Sequence, residues 1–236
     1  MKLTKLSSAL LAGGLLMMGV AAQAEEAAAP FTVAGSVALT SDYFYRGVSQ
    51  TSSTSAIQGS FTLNHSSGLY ASVWSSSIGF AQGQELDPSI GFAGKAGELG
   101  YDIGVLEYGY PGERTLGFRE VYGSLSYMGG KFGLAYSDDF FGGTGASIYT
   151  YLDYGTTVGP VGLVAHVGLN KFDEDAMSNY DGYVDYKVGV NYALSGVTFE
   201  LAYIGSDLDD TDCAAFSATD DKVCKGKAVV TASKAF

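Results

Sequence analysis

The sequence predicts an all-β fold, an antiparallel transmembrane β-barrel of about twelve strands with short periplasmic turns and longer extracellular loops. Three observations favour this fold. The chain begins with a secretory signal, it consists largely of short runs in which apolar and polar residues alternate, and it ends on such a run with a terminal aromatic residue, Phe236. Membrane-barrel strands alternate in this way because one face contacts lipid and the other faces a polar lumen.

Residues 1–24 have the features of a cleaved secretory signal peptide. A short basic segment precedes an apolar run, and Ala22-Gln23-Ala24 fits the small-x-small cleavage site. The alternative, an uncleaved transmembrane helix, is disfavoured because the apolar run is short and lacks a stop-transfer flank. We expect a flexible periplasmic lead-in over residues 25–30 and an outer-membrane barrel over residues 31–236.

The composition fits a barrel wall better than a soluble core. Hydrophobic residues make up 47% of the chain and charged residues 16%, whereas soluble domains average about a quarter charged residues. Glycine (33) and tyrosine (17) are abundant, and proline (4) is scarce. The formal net charge of −12 disfavours nucleic-acid binding and a polybasic membrane-surface role.

Period-two alternation between turn residues marks about twelve runs. They cover residues 31–46, 55–65, 68–79, 86–95, 98–108, 117–128, 130–140, 146–158, 161–171, 180–193, 196–206 and 226–236. Most have the roughly ten residues that a tilted strand needs to cross an outer membrane. The alternative is a soluble β-sandwich, which also alternates but requires an apolar interior and a charged exterior.

The connections alternate between short and long. Five are tight, at residues 66–68, 96–97, 128–130, 159–160 and 195–196, and those near 47–54, 80–85, 109–116, 141–145, 172–179 and 207–225 are longer and more polar. Outer-membrane barrels place short turns in the periplasm and long loops outside. An even strand count then puts both ends of the barrel domain in the periplasm.

The same alternation predicts which residues face lipid and which face the lumen. In the run 180–193, Asp185 and Lys187 share the face opposite to Val188 and Val190. A charge facing lipid near the midplane costs about 2–4 kcal/mol, so the charged face should line the lumen. Aromatic residues near strand ends should form interfacial girdles. These residues are Tyr43, Tyr45, Tyr127, Tyr136, Tyr154, Tyr192, Tyr203 and Phe236.

The segment 40–51 (TSDYFYRGVSQT) supplies the first candidate site residues. On the parity of the first run, Asp42 and Arg46 point inward, about 13 Å apart along the strand, so each should meet charges on neighbouring strands. One interpretation is a transverse field at a pore constriction, and the other is structural ion pairing in the barrel wall. Further inward candidates are Asp102, Glu120, Asp153, Asp185, Lys187 and Glu200.

The inward set predicts the character of the lumen. Acidic groups outnumber basic ones, so a conducting lumen should favour cations. About twelve strands imply a passage narrower than that of porins with sixteen to eighteen strands. An infolded loop could close such a passage.

Residues 40–51 together with 56–74 (AIQGSFTLNHSSGLYASVW) and the terminal SKAF resemble the TorF-type porin family, outer-membrane proteins of proteobacteria. The resemblance extends along the mature chain and is strongest over residues 37–74. It implies an outer-membrane barrel with a pore role, and it supplies no substrate.

A lipid-modifying enzyme is the least favoured interpretation. A Ser/His hydrolase needs a histidine within reach of an activated serine at the lipid-facing wall. His65 falls at a predicted periplasmic turn, and His166 faces the lumen on this parity. We therefore predict no enzyme activity, no cofactor and no histidine-based metal site.

The last connection contains the chain's two cysteines, Cys213 and Cys224. Two cysteines close together in an exported chain predict a disulfide, with a pair of free thiols as the alternative. The acidic segments 207–212 and 173–175 could bind Ca²⁺ or bridge to lipopolysaccharide. They lack the glycine and distal glutamate of an EF-hand loop, which favours solvated loops.

The sequence thus favours a passive, porin-like channel for small polar solutes or cations, in the outer membrane of a Gram-negative bacterium. A non-conducting structural or surface-contact barrel is the alternative. The expected partners are outer-membrane lipids, lipopolysaccharide, the barrel-assembly machinery through the C-terminal strand and further copies in a homo-oligomer, with no nucleic acid.

Overall fold

The twelve predicted strands pair into one closed antiparallel barrel, as expected from the alternation. The computed structural model describes residues 30–173, 181–213 and 222–236. The wall strands are β1 (Phe31–Thr40), β4 (Ala56–His65), β5 (Leu69–Ser77), β6 (Gln84–Ala96), β7 (Leu99–Tyr108), β8 (Phe118–Tyr127), β9 (Gly130–Ser137), β10 (Ser147–Val158), β11 (Val161–Phe172), β12 (Gly182–Leu194), β13 (Val197–Ser206) and β14 (Lys227–Ala235). Two short strands, β2 (Phe44–Tyr45) and β3 (Val48–Ser49), pair only with each other.

Closure occurs between the first and last strands. Thr40 of β1 pairs with Thr231 of β14, and Ser36 pairs with Ala235. Gly35 and Phe236 exchange two backbone hydrogen bonds just beyond this ladder. Closure satisfies the backbone groups that a sheet edge would leave unpaired, which a bilayer requires of any strand that crosses it.

The outer wall carries the apolar face of the alternation. Each wall strand carries at least two large exposed apolar side chains, except β5 and β14, which carry one each. Examples are Val33, Leu39, Ile57, Phe61, Ile90, Ile103, Val121, Leu125, Phe132, Leu152, Val167, Val188, Phe199 and Leu201. An apolar outer surface of this kind is stable against lipid and not against water. Tyr127, Tyr136, Tyr154, Tyr192, Tyr203 and Phe236 also lie exposed on this wall, as the girdle prediction requires.

The prediction for the end of the first strand is wrong. The run 31–46 was expected to be continuous, but β1 ends at Thr40 and the chain turns into the barrel. Tyr43 and Tyr45 are therefore buried inside (6% and 8% exposed) and do not belong to the girdle. The physical reason is local, because the Asp42 carboxylate accepts hydrogen bonds from the hydroxyls of Ser49 and Thr51 and so holds the chain in a tight reversal.

The hairpin formed by β2 and β3 turns at two residues with positive φ, Arg46 (46°) and Gly47 (77°). Two-residue turns with positive φ match the twist of the flanking strands. We call residues 41–51 the plug hairpin. It lies at the end of the barrel that carries the long connections, which is the extracellular end by the usual orientation of these barrels.

The short connections fall where the sequence predicts them, between β4 and β5, β6 and β7, β8 and β9, β10 and β11, and β12 and β13. The long connections contain two 3₁₀ turns, Ala81–Gly83 and Arg114–Leu116, and one helical turn, α1 (Asp210–Cys213). Within the described part of the chain, no helix combines the length and apolarity needed to cross a bilayer. The predicted signal peptide, the lead-in up to residue 29, and Glu174 and Asp175 of the acidic segment 173–175 lie outside the described residues.

Candidate functional site

The extracellular end of the lumen is filled by aromatic side chains. Tyr45 of the plug hairpin packs against Tyr108 of β7 (ring centroids 5.4 Å apart), and Tyr108 stacks on Phe118 of β8 (4.2 Å). Phe118 in turn contacts Phe140 from the connection between β9 and β10 (4.8 Å). Buried members of this aromatic cluster also include Tyr43, Val48, Ile78, Leu106, Tyr110, Phe172, Tyr183, Cys213, Val223 and Cys224. The mouth is thus narrowed by packing between loops and wall.

Arg46 is carried by the hairpin turn into the middle of the lumen. Its Nη2 lies 2.6 Å from Glu120 Oε1, and its Nη1 donates to Asn170 Oδ1 at 3.4 Å. The guanidinium carbon also lies 4.1 Å from the centroid of the Tyr149 ring. Glu120 is on β8 and Asn170 on β11, so the expectation that Arg46 pairs with a strand next to β1 is wrong. The hairpin, not the wall, positions this side chain.

The environment of Arg46 keeps it charged. Burial by itself lowers the pKa of the guanidinium, but the Glu120 carboxylate and the surrounding tyrosine hydroxyls together raise the pKa of Arg46 well above its usual value. The Glu120 carboxylate also accepts a hydrogen bond from the Tyr108 hydroxyl at 3.1 Å. The pair is almost completely withdrawn from solvent, with exposed side-chain fractions of 6% for Arg46 and 3% for Glu120.

Asp42 lies at the base of the hairpin and is not part of the same ion pair. Its Oδ2 is 3.1 Å from Lys227 Nζ on β14, the strand that pairs with β1. Its Oδ1 accepts hydrogen bonds from Ser49 and Thr51. Asp42 and Arg46 therefore fix opposite ends of one hairpin, where the sequence suggested two positions along one strand.

Below the plug hairpin, His166 bridges two carboxylates. Its Nδ1 lies 2.6 Å from Asp153 Oδ1, and its Nε2 lies 2.9 Å from Asp185 Oδ1. An imidazolium satisfies both contacts because both of its ring nitrogens donate. The Tyr149 hydroxyl and the Asn170 amide also donate to Asp185, at 3.2 Å and 3.3 Å. This network joins β10, β11 and β12 across the lumen face of the sheet.

The remaining predicted lumen residues lie nearer the periplasmic half. Lys187 Nζ is 2.6 Å from Glu200 Oε1 across β12 and β13. Asp102 on β7 is half-buried and accepts a hydrogen bond from the Tyr70 hydroxyl at 2.9 Å. The Tyr70 hydroxyl also contacts that of Tyr122.

A cavity of about 100 Å³ lies among these groups. Six of the eight predicted site residues line it, namely Arg46, Asp102, Glu120, Asp153, Asp185 and Lys187. Asp42 and Glu200 are not among its lining residues. The lining also contains lysine and tyrosine side chains that the sequence analysis did not select as lumen residues, among them Lys131, Tyr108, Tyr122, Tyr149 and Tyr151.

Two buried carboxylates were missed. Glu85 and Asp87 point inward from β6 and are 1% and 3% exposed. Glu85 Oε1 accepts from the Tyr110 hydroxyl at 3.4 Å, and Asp87 Oδ1 accepts from the Gly109 amide at 3.3 Å. Glu85 Oε2 has no hydrogen-bond partner, and in the described segments neither carboxylate forms a salt bridge. Asp87 already lies within the predicted run 86–95, and Glu85 comes one residue before it. Leu86 faces outward between them, so the parity of this run would have placed both carboxylates inside.

The histidines and cysteines take the following positions. His65 ends β4 and contacts the Ser67 hydroxyl at the short turn (2.8 Å), and His166 faces the lumen. Cys213 and Cys224 form a disulfide, and both are buried. In the acidic segment 207–212, Asp209 accepts hydrogen bonds from the amides of Thr211 and Asp212 and so caps α1. Among the described residues, no group of three or more histidine, cysteine or acidic side chains is arranged to hold a metal ion.

A family model described as "Bacterial protein of unknown function (Gcw_chp)" matches residues 24–236. The fold is similar to that of the KdgM porin, with a TM-score of 0.54 and 9% identity over 86% of this chain and 99% of that one. It is also similar to that of the NanC porin, with a TM-score of 0.51 and 12% identity over 86% of this chain and 98% of that one. No curated protein sequence matches the chain. At these identities the likeness concerns the fold, and the resemblance to TorF-type porins stays a prediction.

Proposed function

Since the chain belongs to the Gcw_chp family of bacterial proteins of unknown function, we propose its role from the lumen. It is a passive porin-like channel in the outer membrane of a Gram-negative bacterium, of the TorF type, and it passes small polar solutes or cations through a narrow acidic lumen. The observation that carries this proposal is the contrast between an apolar outer wall and an interior with buried Arg46, Glu120, Asp153 and Asp185.

The charge balance supports a preference for cations. Arg46 is paired with Glu120 and Lys187 with Glu200, so these four charges largely cancel. Asp153 and Asp185 share one cation, the His166 imidazolium, so this group keeps a net negative charge in the interior. A ring or wall of carboxylates lowers the free energy of a cation in a pore and raises that of an anion.

The outer surface of the barrel supports proposals for its lipid and protein partners. The exposed apolar belt is suited to outer-membrane lipids and, at the extracellular end, lipopolysaccharide. The C-terminal strand β14, which closes the barrel onto β1, is the segment we expect the barrel-assembly machinery to engage. We propose no nucleic-acid partner and no catalysis. Both ring nitrogens of His166 contact carboxylates, those of Asp153 and Asp185, which supports a non-enzymatic lumen. The barrel acts as a monomer or a homo-oligomer.

One observation favours a second candidate, a non-conducting structural or surface-contact barrel. The plug hairpin and its aromatic partners occupy the extracellular mouth. If that packing never opens, solute cannot pass, and the outer loops would then provide the function through contacts at the cell surface.

The deciding experiment is single-channel recording of refolded residues 25–236 in a planar bilayer under a KCl gradient. A pore gives discrete current steps with a reversal potential that favours K⁺. Asp185→Asn should lower the ratio of cation to anion permeability, whereas Glu107→Gln, which changes an exposed carboxylate, should leave it unchanged. Silence from protein that shows heat-dependent migration in detergent gels, and is therefore folded, would support the non-conducting barrel.

A further inference from the structure

The plug hairpin depends on its surroundings for its position. Its own ladder consists of two residue pairs, Phe44 with Ser49 and Tyr45 with Val48. An isolated two-stranded hairpin is marginally stable at best, even when it is longer than this. The contacts at its tip and at its base therefore decide whether it stays in the lumen.

The tip contacts the wall on two sides. Arg46 reaches Glu120 on β8, as described above. Gly47 lies so close to β12 and β13 that a Cβ there would come within 2.7 Å of the Gly205 carbonyl oxygen and 2.8 Å of Asp185 Cβ. The tip thus occupies a slot between opposite walls of the barrel.

The base of the hairpin contacts the last extracellular connection. The Ser49 amide donates to the Val223 carbonyl at 2.7 Å, and Val223 is 4% exposed. The adjacent Cys224 is tied to Cys213, and both sulfur-bearing side chains belong to the buried aromatic cluster. Two residues after Lys225, Lys227 pairs with Asp42 at the start of the hairpin.

We propose that Cys213, Val223, Cys224 and Lys227 form a latch, and that this latch holds the plug hairpin in an autoinhibitory position. The Cys213–Cys224 disulfide ties Cys224 to the end of α1, and the adjacent Val223 presents its carbonyl to Ser49. Loosening the latch frees the base of the hairpin and opens the mouth. The four residues of the latch therefore control passage through the barrel, and this inference rests on the proposed pore.

The chain contains its own reporter of hairpin position. Trp74 is the chain's single tryptophan. It belongs to β5, and its ring lies 5.4 Å from that of Tyr43 in the hairpin. Departure of the hairpin exposes Trp74 to lumen water, so acrylamide quenching of its fluorescence measures the position of the hairpin without any current.

The test compares the full-length folded barrel with a Cys213→Ser/Cys224→Ser variant and with Lys227→Met, which loosens the latch without touching the disulfide. Each should increase acrylamide quenching of Trp74 and raise the open fraction in single-channel recordings roughly fivefold, the shift expected from loss of one buried hydrogen bond. Arg119→Gln, which removes an exposed ion pair on the outer wall, is the matched control and should change neither reading.

The latch proposal and the pore proposal are separated by a third variant, in which a Gly/Ser segment replaces residues 43–50. We call this variant the hairpin-free barrel. If it folds and conducts while both latch variants match the wild type in quenching and open fraction, the latch is overturned and the pore stands. If it folds and still passes no current, the pore itself is rejected. If quenching rises in the latch variants but this hairpin-free barrel is silent, the latch holds the hairpin of a barrel that does not conduct.

Discussion

Glu120 and Glu85 are two glutamates with nearly the same burial and very different surroundings. Both face inward near the extracellular end, and they are 2% and 1% exposed. Glu120 has Arg46 at 2.6 Å and the Tyr108 hydroxyl at 3.1 Å. Glu85 has the Tyr110 hydroxyl at 3.4 Å, no partner for its second oxygen, and Asp87 as its neighbour on the same face of β6.

The difference separates two states of a buried carboxyl group. A buried ion pair whose partners come from distant segments fixes where those segments lie, and it contributes little net field to a passing solute. A buried carboxyl group without a cation costs much free energy when ionised, so it favours its protonated, neutral form. The Arg46–Glu120 pair therefore positions the plug hairpin, whereas Glu85 and Asp87 add little charge to the mouth.

The largest effect should come from Glu120→Gln. The substitution leaves Arg46 buried without a counter-charge, which typically costs about 3–5 kcal/mol of the free energy of unfolding. Urea titration of the barrel in lipid vesicles, followed by tryptophan fluorescence, measures this loss. A loss below about 1 kcal/mol would mean that the Arg46–Glu120 contact is not the fixed ion pair described here.

A double substitution supplies the control. In Arg46→Met/Glu120→Met both charges are gone, so no charge is left buried alone, and apolar replacements of buried pairs are often neutral. We expect the double variant to be more stable than Glu120→Gln. Arg46→Met and Glu120→Met alone complete the cycle, and if their separate losses simply add in the double variant, the two residues do not interact.

His166→Leu should have the next largest effect. It removes the imidazolium that donates to both Asp153 and Asp185, and it leaves these two carboxylates close together without a cation. Hydrogen bonds to charged groups contribute about 1.5–3 kcal/mol each, and relaxation recovers part of this, so we expect a loss of about 2–3 kcal/mol. The same urea titration measures it. Adding Asp153→Asn should restore part of the loss, and further destabilisation would contradict the bridging geometry.

Glu85→Gln should change the free energy of unfolding by less than about 1 kcal/mol, because it removes a carboxylate that has no cation to lose. It should also leave the cation-to-anion permeability ratio of a conducting barrel nearly unchanged, because a buried carboxyl group without a cation keeps its proton and carries little charge. The unfolding titration and the reversal potential under a KCl gradient give the two readings. A loss as large as that of Glu120→Gln would reveal a counter-charge for Glu85.

The wall and the mouth also differ in how far the sequence predicts them. Period-two alternation is enough to predict strands such as β11 and β12 and the inward position of Asp185, because each residue's face depends only on its neighbours along the strand. Alternation along a strand does not predict the plug hairpin. Tyr43 and Tyr45 continue the alternation of β1, but the bonds of Asp42 to Ser49 and Thr51 turn the chain inward. The partner of Arg46, 74 residues further along the chain, follows only from closure of the barrel.

The smallest effect should come from the exposed pair of Arg119 and Glu107 on the outer wall. Their atoms lie 3.1 Å apart, but the side chains are 64% and 55% exposed. Solvent-exposed ion pairs typically contribute well under about 1 kcal/mol. Glu107→Gln should therefore shift the free energy of unfolding in detergent micelles by no more than about 0.5 kcal/mol. Urea titration in detergent micelles and in lipid vesicles would measure the shift in both surroundings. A much larger loss in vesicles than in micelles would place this pair within the apolar part of the bilayer, where it would resemble the buried ion pairs of the lumen.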